Sequence, residues 1–176
     1  MHRRFLALLT LVLLAAACSG DADDDSADYF SQAAAVTTTY EAAAATHFAE
    51  YTEALRPAET EEAAEAAFVD ATRSLFANLA GDFEPVVDTL AELTPPESAA
   101  TEHGQWLEAS RALNTLFQDT DAAVAPLEDP GAIDSILVDL PIGDVQAAYR
   151  SACEAVAALA LEKDEVIACA PPTGST

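Results

Sequence analysis

The spacing of apolar residues confines this chain to helices. No stretch alternates cleanly between apolar and polar residues, whereas four stretches place an apolar residue at every third or fourth position. That repeat is the signature of one helix face and excludes a half-buried strand. The first stretch, residues 28–56, carries Phe30, Ala33, Thr37, Tyr40, Ala44, Phe48, Tyr51 and Leu55, with His47 beside Phe48. It is expected to stop at Pro57, with Arg56 offsetting the negative end of the helix dipole. The second, residues 59–93, opens on Glu59, Glu61 and Glu62 and carries Phe68, Thr72, Leu75, Leu79, Phe83, Val86, Leu90 and Leu93. Its phase survives Gly81 and Pro85. The Pro85 ring clashes with the carbonyl four residues back, that of Gly81, so one kinked helix is expected, with a break near Gly81 as the alternative.

The third stretch opens on Thr94-Pro95-Pro96-Glu97, which reads as a capping box with proline in the first turn. It continues through His103, Trp106, Ser110, Leu113, Phe117, Thr120, Val124 and Leu127, ending before Pro130-Gly131. A connection with Ile133, Ile136, Leu137 and Leu140 reads as an apolar turn closing one end of the core. The fourth stretch starts with Asp144 as N-cap and carries Val145, Tyr149, Cys153, Val156 and Leu159. Together they predict an all-α chain, an antiparallel four-helix bundle with a kinked second helix, over residues 28–170. Residues 171–176 read as a disordered tail.

Charge narrows the function. The chain carries 31 Asp and Glu against 7 Lys and Arg. Such a surface lacks the cationic patch that displaces counterions from nucleic acid, so no nucleic-acid partner is expected. It would attract cations or a basic protein instead. No Gly-x-Ser-x-Gly turn and no glycine-rich phosphate loop occur in the sequence, so neither an enzyme nor a cofactor is expected.

Residues 1–17 differ from the rest. His2, Arg3 and Arg4 precede an apolar run from Phe5 to Ala17 that is interrupted only by Thr10. This is the pattern of a secretory signal, too short to span a ~30 Å hydrocarbon core comfortably. Its end, Leu14-Ala15-Ala16-Ala17-Cys18, resembles a bacterial lipobox, with Ala15 where that motif more often has leucine. The resemblance implies lipid transfer to the Cys18 thiol, cleavage before Cys18, and a membrane-lipid anchor on the extracytoplasmic face of the cell membrane. Cleavage would remove Arg3 and Arg4 and no acid, leaving five basic residues against 31 acidic ones. Residues 18–27, rich in Asp, Ser and Ala, read as a flexible, self-repelling tether.

With Cys18 acylated, Cys153 and Cys169 are the two remaining cysteines. An even pair outside the cytoplasm is expected to oxidise, closing a loop of about 17 residues and stabilising by ~3 kcal/mol. The segments Tyr149–Cys153, Ala168-Cys169 and Leu93–Pro96 ahead of His103 are similar to small secreted or lipidated helical proteins of high-GC actinobacteria; that resemblance implies no activity.

His47 and Glu50 have i, i+3 spacing, and His103 could join them from a neighbouring helix. These three are the candidate metal ligands. The di-iron pattern would need Glu three residues before each histidine, and Ala44 and Ala100 stand there. Tyr40, Tyr51 and Trp106 sit on the stripes and read as core, with a ligand cleft as the other reading. The resulting expectation is a lipid-anchored, non-catalytic acidic bundle that binds a partner or the envelope. A metal- or small-ligand-binding bundle and a structural spacer are the alternatives.

Overall fold

A computed structural model describes residues 22–56 and 58–169. Among them are five α-helices and no strand: α1 (Ala22–Ala54), α2 (Glu61–Glu92), α3 (Ala100–Val124), α4 (Pro130–Asp139) and α5 (Ile142–Leu161). Residues 1–17, read as a secretory signal, Cys18, and residues 171–176, read as a disordered tail, lie outside the described residues. Helix α1 packs on α2, α2 on α3, and α3 on α5, while short α4 lies against α2 and α3. No described helix is long and apolar enough to cross a membrane.

The stripes build the core. Every named position of the third stretch from His103 to Val124 is buried, as are Phe30, Ala33, Thr37, Tyr40 and Ala44 of the first. Phe83 of α2 is fully buried at the centre. Its ring meets Tyr40 of α1 at 4.7 Å, Phe117 of α3 at 5.7 Å and Tyr149 of α5 at 5.7 Å, all edge to face. Each long helix thus contributes one ring to a single cluster, in the arrangement that aromatic quadrupoles favour. Helix α2 runs unbroken through Gly81 and Pro85, so the two-helix alternative falls.

Four expectations are corrected. The bundle has a fifth helix, because residues 130–139 are α4 and not a turn. Asp129 caps it by accepting from the Gly131 N–H at 3.0 Å, and Pro130 occupies the first turn, where its missing N–H is no loss. Residues 22–27, read as part of a flexible tether, belong instead to the start of α1, which begins at Ala22.

Thr94 caps nothing. A 3₁₀ turn at Glu97–Ala99 precedes α3, and Pro96 provides no side-chain cap. Pro95 could not begin a helix because the residue before a proline is pushed to extended backbone, and Pro96 follows it. Helix α5 likewise starts two residues before Asp144, which sits in its first turn.

Two long-range ties close the fold. Arg73 of α2 donates through Nε to the Val124 carbonyl at 3.4 Å and through its guanidinium to that of Leu127. It thereby satisfies carbonyls at the end of α3 and places a cation at the negative pole of that helix. After α5, Asp164 takes a left-handed backbone, φ 62°, and the chain turns back. Ile167 is buried, and Cys169 forms a disulfide with fully buried Cys153, with Cα atoms 5.6 Å apart.

Candidate functional site

His47 and His103 are separated by the fold. His103 lies near the start of α3, where its Nδ1 is 3.0 Å from the Tyr29 hydroxyl. Burial lowers the pKa of His103 from its ordinary value, and burial pushes Tyr29 up to about 12. In the tautomer with its proton on Nε2, the neutral imidazole accepts the Tyr29 O–H at Nδ1. Tyr29 precedes His47 on α1 by 18 residues, about 27 Å of helix. His103 thus belongs to the opposite end of the bundle and does not join His47.

His47 has other partners. Its Nε2 is 2.7 Å from Asp82 Oδ2, its Nδ1 is 3.3 Å from Asn78 Nδ2, and Glu50 Oε2 lies 3.6 Å away. Asn78 Nδ2 can only donate, so Nδ1 accepts from it and Nε2–H donates to Asp82. Both ring nitrogens are thus engaged in a link between α1 and α2. The fold brings His47 and Glu50 together and adds Asp82, which sequence spacing could not supply. No group of three or more His, Cys, Asp or Glu suited to a metal occurs among the described residues.

The His47–Asp82 pair sits in a furrow between α1 and α2. On one side of it a cavity of about 310 Å³ is lined by Glu50, Tyr51, Ala54, Ala67 and Asp70 among others. On the other a cavity of about 420 Å³ is lined by Ala35, Val36, Tyr40, Ala43, Pro85 and Val86 among others. The lining positions form one unbroken three-and-four repeat on each helix, with His47 and Asp82 as its midpoint. The α1 positions rise as the α2 positions fall, as two antiparallel helices require. Alanines leave the trough open, because a larger side chain at these points would fill it. The charged side chains lining it, Glu50, Asp70 and Asp82, are all acidic. Tyr40 and Tyr51, read from their stripes as core, also line it, whereas Trp106 is fully buried elsewhere.

Polar tips also cluster inside the bundle. Burial pushes the Tyr149 hydroxyl up to about 12 and raises that of Tyr40 further, with Tyr149 and then Asp82 adding to the effect on Tyr40. The Trp106 indole N–H approaches Tyr149 without closing a well-formed hydrogen bond. These groups stay protonated and hold no charge in the core.

Two solution measurements follow from these electrostatics. Because the folded state holds His103 below its ordinary pKa near 6.5, both states are neutral above that pH and stability is unaffected there. Below it the unfolded chain takes up a proton that the folded chain resists, so stability falls. Lowering the pH from about 7.5 to about 5 should therefore lower the denaturation midpoint more in the native protein than in His103→Gln, which keeps an acceptor for Tyr29. Parallel acid slopes in the two proteins would overturn the assignment. Separately, about 0.5 M NaCl shortens the screening length to a few ångströms and should raise the thermal midpoint by relieving repulsion among 31 acids. A midpoint that is unchanged or lower counts against net repulsion.

Comparison of the chain with protein-family models, curated proteins and solved structures finds no match.

Proposed function

We propose that the chain is a lipid-anchored binding module on the extracytoplasmic face of the cell membrane, non-catalytic, which captures a basic partner through its acidic α1/α2 face. The observation that carries the reading is the furrow itself, two adjoining cavities whose charged lining is acidic throughout. The Cys153–Cys169 bridge supports the compartment, since such crosslinks persist outside the reducing cytoplasm. That bridge also leaves Cys18 as the thiol available for acylation at the end of the signal-like segment. A body with this net charge is repelled by anionic headgroups, so the anchor would hold it off the bilayer and not flat upon it. Proximity to the membrane with an outward acidic face suits capture of cationic protein segments by steering.

Two measurements test the proposal. Mass spectrometry of the membrane fraction should find a chain beginning at a lipid-modified Cys18; an intact Met1 with a free thiol at Cys18 refutes the anchor. Low-molecular-mass poly-L-lysine should bind the mature chain and dissociate as salt rises. No binding at low salt refutes the acidic capture face.

A further inference from the structure

We infer that the α1/α2 furrow is the docking groove for a basic amphipathic helix of a partner protein, laid along the seam with two anchors three turns apart. The inference rests on the binding reading above and names the surface and the shape of what fits it.

Geometry selects a helix. The two cavities are centred near Thr39 and near Glu50–Tyr51 on α1, about 11 residues or 17 Å apart. A partner helix lying along the seam reaches both with side chains at i and i+11, which share one face. The His47–Asp82 pair forms the sill between them, so two separate anchors fit better than one long ligand.

Chemistry sets the anchors. The larger cavity, about 420 Å³, presents Val36, Ala43, Pro85 and Val86 and suits a bulky apolar side chain. The smaller, about 310 Å³, has alanine walls with Glu50 and Asp70 among its lining residues. That combination suits an arginine, whose aliphatic stem covers apolar surface while its head reaches carboxylates. Charge excludes a second copy of this chain as occupant, because a net charge of -24 makes like faces repel.

The test uses the intact mature chain in detergent micelles and a fluorescent helical peptide of about 18 residues, with one bulky apolar residue and an arginine three turns on. A second peptide has the same composition in scrambled order. Anisotropy at about 0.15 M salt should show the ordered peptide binding at least about tenfold tighter than the scramble. Ala35→Trp, at an exposed wall of the larger cavity, should weaken the ordered peptide about tenfold and leave the scramble unaffected. The charge pair Glu50→Gln with Asp70→Asn, which removes no packing, should weaken the ordered peptide about tenfold through the smaller cavity and the scramble far less, since the scramble loses only general attraction. Equal binding of the two peptides, or affinity indifferent to both sets of variants, overturns the groove while leaving capture of basic partners in place. Failure of both peptides and of poly-L-lysine to bind removes the capture reading itself.

Discussion

Replacing Phe83 by alanine is expected to destabilise the protein by about 3–5 kcal/mol, a large share of the 5–15 kcal/mol that holds a typical domain together. Phe83 is fully buried and touches one ring from each of the other three long helices. Truncation removes its own transfer energy, leaves a cavity where four helices converge, and deletes three edge-to-face contacts at once. No neighbour can collapse into the space without shifting a helix. Phe68→Ala is the control, because Phe68 is only partly buried on the same helix. Urea denaturation followed by circular dichroism should show a much larger loss for Phe83→Ala. Equal losses would show that the ring cluster is not the centre of the core.

Removing the Cys153–Cys169 bridge is expected to cost about 3 kcal/mol, because the crosslink withdraws conformational freedom from the unfolded chain. The folded consequences are local. Cys153 is fully buried against the core and Ile167 is buried by the same turn-back of the chain, so the released segment would expose its apolar side. The double variant Cys153→Ala, Cys169→Ser should therefore unfold at lower urea and show faster proteolysis near residue 165. Thiol labelling of the denatured, unreduced chain beginning at Ser19 should find no free thiol. Two labelled thiols would show that the bridge does not form, and a double variant as stable as the native protein would show that it adds no stability.

Much of this architecture is legible in the order of residues, and the failures have local causes. The third stretch needed only its periodicity: His103, Trp106, Ser110, Leu113, Phe117, Thr120 and Val124 all end up buried. Helix α4 was hidden because Pro130-Gly131 reads as punctuation and ten residues are too few for a strong repeat. The Asp129-Pro130 cap and the spacing of Ile133, Ile136, Leu137 and Leu140 were the signal available. Ser26 and Tyr29 were missed because the acidic run ahead of them suppresses the apolar count, although both are buried.

The candidate site was less legible than the fold. Glu50 beside His47 follows from helical spacing, since i and i+3 share a face. Asp82, which makes the short contact to His47, lies 35 residues away and is one of many acids. Nothing in the spacing says whether His103, on another helix, reaches His47; the packing sets it against Tyr29, toward the far end of α1. Arg73 reaches carbonyls 51 and 54 residues downstream, and no local pattern marks that contact.

Backbone hydrogen bonding within a helix links residues only four apart, so a short window of the chain already contains what selects a helix, its buried face and most of its ends. Which helices are neighbours, where the α1/α2 furrow opens, and which carboxylate meets His47 depend on contacts tens of residues apart. Those are chosen by the collective filling of one interior around Phe83, and no window of the chain contains that information.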